Sequence, residues 1–298
     1  VIKQSGWKFK KYFFLAVLAG MLVFQAAALG GKNIPPDQVK IATPEYSPEL
    51  SEFTPKLGRY VYRVSWQGIP AGTVDLDLKR NGDDYQITAS ARSAKAIDYV
   101  YKLRYRTEAV ISAQTLMPKR SVAVTNENAR KKKIELEFFK NGEIQSVYIN
   151  HHGKRKSIKF DPGNFTLDPF STAFLALSMD WKVGDQRQFD TYNGRNRYLI
   201  ELTAFDQVDL TLNGMVRKAI VISPNITKLT EEETKKLRNA RIYISMDNSR
   251  EILKISSDLF FGTVDTDMVS FVPEKTKISG GGPGSGTSTN ISEPPAKQ

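Results

Sequence analysis

A mainly β protein, laid out as one large curved antiparallel sheet or barrel-like roll with one buried helix and one short surface helix, is the fold class that this sequence predicts. Three observations lead there. Apolar residues recur at every second position through most of residues 55–275, turn dipeptides such as Asn-Gly punctuate those runs, and the segment Phe170 to Met179 is apolar nearly all round a helix.

Tyr60, Tyr62, Val64 and Trp66 face one way and Arg59, Arg63, Ser65 and Gln67 the other, the alternation of a half-buried strand. Gly68-Ile69-Pro70-Ala71-Gly72 reads as a turn, after which Val74, Leu76 and Leu78 alternate with Asp75, Asp77 and Lys79 to complete a hairpin. Tyr85, Ile87 and Ala89 form the next strand face. Tyr99, Tyr101, Leu103 and Tyr105 then oppose Lys102, Arg104, Arg106 and Glu108 in a longer one.

Ile134, Leu136 and Phe138 lead to Asn141-Gly142, a pair favoured in two-residue type I′ turns, and on to a strand over Ile144 to Ile149. Asn193-Gly194 and Asn213-Gly214 repeat the signal, the second between Val208, Leu210, Leu212 and a strand over Val216 to Ile222. Further strands are expected at Arg241 to Met246, Glu251 to Ser256 and Phe260 to Phe271. Asp168-Pro169 supplies an N-cap and a first-turn proline for the apolar helix, whose all-round apolarity places it inside the roll. Thr230 with Glu233 forms a capping box for the polar surface helix, which ends near Leu237 or Arg238. Two packed subdomains, roughly 55–160 and 181–275, with their boundary at the apolar helix, are the alternative to a single roll.

The ends of the chain read differently. Lys8, Lys10 and Lys11 precede an apolar run from Tyr12 to Phe24, and Ala26-Ala27-Ala28 follows it, the order of a cleavable secretory signal over residues 1–28. That run falls well short of the roughly 20 residues that span a bilayer, so no transmembrane span is expected in the mature protein. Residues 29–54, with Pro35, Pro36, Pro44 and Pro48, read as an extended linker, and the Gly, Ser, Thr and Pro composition of 276–298 reads as a disordered tail. The destination implied is the periplasm.

Composition narrows the chemistry. The absence of cysteine excludes disulfides, thiolate metal sites and thiol nucleophiles. The only two histidines, His151 and His152, are adjacent and precede Gly153; neighbours on a strand point to opposite faces, so a hairpin turn fits better than a metal site or a hydrolase base. Asn81-Gly82-Asp83-Asp84 has turn composition rather than the look of a catalytic carboxylate pair. Gly280 to Gly286 lacks the lysine of a phosphate-binding loop. No enzyme activity, cofactor or metal is expected.

Two binding candidates emerge. Tyr60, Tyr62, Trp66, Tyr99, Tyr101 and Tyr105 could line a cavity for an amphipathic molecule or simply form core, since tyrosine offers an apolar body and a polar tip. Arg130, Lys131, Lys132 and Lys133 form the densest basic run, and Lys154, Arg155 and Lys156 a second; pairing about the Asn141-Gly142 hairpin would gather them into one patch. The net charge is +11, and about +7 without the four lysines at positions 3 to 11. Lipid or an anionic envelope polymer suits such a patch in an exported protein, and an ordinary solvated hairpin end is the plainer reading. No helix-turn-helix or RNA-recognition signature points to nucleic acid.

Tyr60 to Leu78, with Trp66-Gln67-Gly68-Ile69-Pro70-Ala71-Gly72 at its turn, resembles the opening of the bacterial family known as domain of unknown function 3108. Tyr99-Val100-Tyr101-Lys102-Leu103-Arg104-Tyr105-Arg106, Leu167 to Ser171, and Asp247 through Arg250-Glu251-Ile252-Leu253-Lys254 are similar to it too. The resemblance implies an exported β-rich protein of Gram-negative envelopes and supplies no catalytic residues. The functional expectation is a non-enzymatic binding or carrier protein for a lipid or amphipathic envelope component. A structural or interaction protein of the envelope is the alternative, and a cell-wall hydrolase using Asp161 or Asp180 stands behind it.

Overall fold

The computed structural model describes residues 34–99, 101–230, 240–259 and 262–274, and these contain one fifteen-stranded sheet. Its strands are β1 (Gly58–Trp66), β2 (Ile69–Asn81), β3 (Asp84–Ser93), β4 (Leu103–Ser112), β5 (Pro118–Glu127), β6 (Arg130–Phe138), β7 (Ile144–Ile149) and β8 (Arg155–Phe160). They continue as β9 (Thr166–Leu167), β10 (Gln186–Tyr192), β11 (Arg197–Leu212), β12 (Met215–Lys228), β13 (Ala240–Ser245), β14 (Ile252–Leu259) and β15 (Gly262–Pro273). Two α-helices interrupt them, α1 (Lys95–Asp98) and α2 (Pro169–Ser178). In space the strands run from β8 down to β1, then from β15 down to β9, so two sequence-local meanders meet at the β1–β15 pair. Every pairing is antiparallel except that of β9 with β10.

Directly opposed residues share a face of a sheet, which allows the inner surface to be followed across the strands. Tyr62 opposes Val74, Val74 opposes Ala91, and Ala91 opposes Tyr105. From Ala109 the same face passes to Ser121, Leu136, Ser146 and Ile158. In the other direction it runs through Met268 opposite Tyr62, then Thr266, Ile255, Ile242 and Ile222, and through Ile226, Ile200 and Phe189. One hydrophobic cluster, reaching from Phe53 to Met268, fills this concavity, so residues 55–160 and 181–275 share a core.

Helix α2 occupies that concavity. Asp168 caps it, accepting the Ser171 N–H at 2.7 Å, and Pro169 starts it, as the sequence predicts. Phe174 on α2 meets Phe53 edge-on at 6.1 Å and the Tyr85 ring at 5.7 Å.

The two ends of the sheet overlap. On β10, Phe189 and Thr191 face the core, Thr191 meeting Thr172 of α2 at 2.8 Å, so Tyr192 faces away from it. Yet Tyr192 is fully buried, because it lies against the inner face of β6–β8: its hydroxyl is 2.8 Å from Ser146 Oγ, and its ring meets Phe160 edge-on at 5.1 Å. Leu136 and Ile144 complete this second small core. The roll is closed here by side chains.

Several expectations are corrected in detail. The Gly68 to Gly72 stretch is not the turn itself. Gln67 and Gly68 form a two-residue turn with φ of 48° and 80°, and Ile69 to Gly72 already belong to β2. Gly72 is needed there because a Cβ would lie 2.5 Å from the Arg92 carbonyl oxygen of β3. Gly72→Ala is expected to destabilise the protein by about 1–3 kcal/mol through this backbone clash, readable as a lower urea midpoint with an unchanged slope.

Asn213-Gly214 is the expected type I′ turn, with φ of 51° and 77°, but Asn141-Gly142 sits inside a longer loop in which only Gly142 has positive φ. The strand expected from Tyr99 starts at Leu103, because Lys95 to Asp98 wind into α1 and Tyr99 is its C-cap. Strands β5 and β9 carry no clear strand signal in the sequence, and β10 is marked only by the Asn193-Gly194 turn that follows it. On β5 the core side carries the small residues Ser121, Ala123 and Thr125, so the apolar alternation that marks other strands is weak.

From Ile34 onward the expected linker runs without regular strand or helix apart from one 3-10 turn at Pro36–Gln38, and it docks on the sheet. Ile34 N–H donates to Thr230 O at 3.0 Å and Thr54 N–H to Asn248 O at 2.8 Å. The signal segment, the tail from 276 and the body of the expected polar helix after Thr230 lie outside the described residues.

Candidate functional site

The register of β6, β7 and β8 brings the two basic runs together. Lys133 opposes Ile149, which opposes Arg155, while Ile134 opposes Tyr148, which opposes Lys156. Arg130 and Lys131 open β6, and Lys154 closes the turn between β7 and β8, so all seven cations occupy one end of this three-stranded lobe. Lys132 pairs with Glu127 at 3.6 Å and Lys133 with Glu135. Among the described residues no carboxylate lies within ion-pair distance of Arg130, Lys131, Lys154, Arg155 or Lys156.

The β10–β11 hairpin adds to this end. Gly194 sits so close to Ile134 that a Cβ there would be 2.3 Å from its Cγ2, and the next residue, Arg195, holds its guanidinium 5.2 Å over the Tyr148 ring. His151 and His152 occupy the exposed β7–β8 turn with ring centroids 3.8 Å apart. Partial desolvation, then the neighbouring His152, Arg130 and Lys132, hold the His151 imidazole below its ordinary value, which registers the positive field of the patch. The expected turn is there, and the region around it is strongly cationic.

The tyrosine set is dispersed into the core. Tyr60, Tyr62, Tyr101 and Tyr105 are buried, and burial raises all four phenols above the ordinary tyrosine value. Tyr60 stacks obliquely on Phe271 at 4.7 Å and donates to Lys56 O, and Tyr62 donates to Ile252 O at 3.1 Å. Trp66 is half-buried at the β1–β2 turn. Tyr99 is 94% exposed, so it leaves the inward-facing set altogether.

Beside Tyr60 lies an ionic network that was not foreseen. Glu251, almost wholly buried, accepts from Lys56 Nζ at 2.9 Å and Arg217 Nη1 at 2.7 Å, and Arg217 Nη2 reaches Asp247 at 2.5 Å. Against the cost of partial burial, hydrogen bonds from Ser249 and Arg217 hold the Asp247 carboxyl down at about 2. Every charge there has a partner, which is the arrangement of a structural tie. Asp83 lies in the β2–β3 turn, as its context predicts, and Asp161 serves its own turn by accepting the Gly163 N–H.

The family model for proteins of unknown function termed DUF3108 matches residues 61–269, the span that builds nearly the whole sheet. The chain belongs to the DUF3108 family. The charged network just described thus lies within the DUF3108 match from Arg217 to Glu251, and only Lys56 comes from outside it. No curated protein matches this sequence. Among solved structures, a β-barrel-like protein of the DUF1849 family from Brucella abortus superposes with a TM-score of 0.52 at 9% identity, covering 75% of this chain and 100% of that one. The hypothetical protein CT021 from Chlamydia trachomatis gives a TM-score of 0.31 at 12% identity over 80% of this chain and 98% of its own. The first of these shows that the DUF3108 roll shares a β-barrel-like architecture with another family of unknown function.

Proposed function

We propose that this DUF3108 protein is a non-enzymatic binding protein of the bacterial periplasm that docks a phosphate- or carboxylate-bearing envelope component on the basic end of β6–β8. The observation that carries this reading is the register that gathers Arg130, Lys131, Lys154, Arg155 and Lys156, none of them in an ion pair among the described residues even though Glu127 stands opposite Arg130. Such a concentration raises the local density of anions and speeds their encounter. The export pattern of residues 1–28 supports the compartment, where lipid headgroups and acidic polymers are the available anions. The tyrosines contribute packing in this reading, and the ligand is held at the surface.

The test is co-sedimentation of the purified protein with vesicles of anionic or zwitterionic phospholipid, alongside a retardation assay on a soluble acidic polysaccharide. The triple variant Lys131→Glu, Arg155→Glu, Lys156→Glu is expected to lose about 100-fold in affinity for whichever anion binds, since each cation near such a surface contributes about 1 kcal/mol. Binding should also fall steeply with added salt. Equal binding by the wild type and the triple variant would overturn the reading, as would indifference to all the anions.

A further inference from the structure

A second, chemically different site lies on the outer face of β10–β12, where the docked N-terminal segment runs along the part of β10 that the two-residue β9 leaves unpaired. Gln188 opposes Glu201, Glu201 opposes Asn225, and Gln186 opposes Thr203, so these five side chains share one face. Pro44 and Tyr46 form the wall of a cleft of about 470 Å³ above them, within the range that small-molecule sites fill. Tyr46 is fixed from two sides: its ring packs on Phe189 at 5.3 Å, and its hydroxyl accepts the Gln188 backbone N–H at 3.2 Å.

Glu201 organises the floor. It accepts from Gln188 Nε2 at 3.2 Å and from Asn225 Nδ2 at 2.6 Å, which turns both carboxamide donors toward itself and leaves their carbonyl oxygens as outward acceptors. Arg187, at one side, lies 5.5 Å over the Trp181 ring. The cleft therefore presents carboxamides, a hydroxyl at Thr203, one carboxylate and an aromatic wall. An apolar ligand would bury these groups without partners. A polyanion would meet Glu201. A molecule dense in neutral hydroxyl groups satisfies all of them, with C–H faces against Tyr46.

We infer that this cleft binds a neutral oligosaccharide segment, with Gln186, Gln188 and Asn225 as direct hydrogen-bonding residues and Glu201 as the positioning residue. The site is separate from the basic end of β6–β8 and does not depend on it. The experiment is an array of neutral and acidic oligosaccharides probed with the protein, followed by calorimetric titration of the best neutral tetrasaccharide. Neutral glycans should be retained, and both Asn225→Ala and Glu201→Gln should weaken the titration at least tenfold while circular dichroism and the urea midpoint stay close to wild type. Asn225→Ala removes a contact, whereas Glu201→Gln frees the carboxamides to rotate, so the second should also lower discrimination among the array's neutral glycans. Retention of acidic glycans only, no retention at all, or titrations that neither variant alters would overturn the inference.

Discussion

Replacing Arg197 by methionine is expected to destabilise the protein by about 3–5 kcal/mol, the cost of leaving a buried charge without its partner. Arg197 and Asp190 are both fully buried and joined through Nη2 and Nε, the latter 3.3 Å from Oδ1. Asp190 takes one further hydrogen bond, from Thr166 Oγ1 of the edge strand β9 at 2.7 Å. The other guanidinium nitrogen, Nη1, donates to the carbonyls of Pro36 at 2.9 Å and Val39 at 2.6 Å. One side chain thus secures the β10–β11 hairpin, β9 and the N-terminal segment together. In the Arg197→Met variant, limited proteolysis should cut within residues 34–53 well before the sheet, and urea unfolding should show the lost stability. The double variant Arg197→Met, Asp190→Leu should recover most of it, because an apolar pair leaves no charge stranded. A single variant as stable as wild type would show that the pair holds nothing in place.

The second large effect concerns pH. Burial raises the Asp168 carboxyl from its ordinary 3.8 to about 6, against hydrogen bonds from Ser171 and Ser121 that act the other way. Between those two values the folded protein binds a proton that the unfolded chain has released, so stability falls as pH rises through this window and levels off above it. The loss is on the order of 3 kcal/mol by pH 7. Asp168→Asn keeps an acceptor for the Ser171 N–H and removes the titration. Its stability should be flat between pH 4 and 6, and at pH 7.5 it should equal or exceed wild type in urea unfolding. The depressed Asp247 carboxyl, at about 2, titrates below this window and does not confuse it. Parallel curves for wild type and variant would remove Asp168 from the account.

The sheet was legible wherever a strand has one apolar face, as in Tyr60 to Trp66 and Val208 to Ile222, because burial on one side imposes a period of two. The cap and proline at Asp168-Pro169 marked α2 for the same local reason. What escaped was long-range. Asp190 and Arg197 lie on either side of a hairpin, Glu251 meets Lys56 across most of the chain, and neither pair leaves a periodic trace in sequence. Gln186, Gln188, Glu201 and Asn225 carry no motif of their own in the sequence, and only strand register and the docked N-terminal segment bring them to one cleft. The basic runs were visible as composition, and the register of β6–β8 turned them into one surface. Tyr99 shows the limit of periodicity, since the same spacing continues into the C-cap of α1.

The strand order has a bearing on aggregation. A flat fifteen-stranded sheet would offer two long rows of unpaired backbone groups to other chains. Here the two boundary strands are β8 and β9, separated by only a short stretch of chain, and β9 is two buried residues long. The remaining boundary, β8, carries exposed Arg155, Lys156 and Lys159, and charged residues repel an incoming strand. The basic residues of β8 thus guard the one substantial edge left in the described sheet, so replacing them with neutral side chains would expose a template for strand addition between molecules.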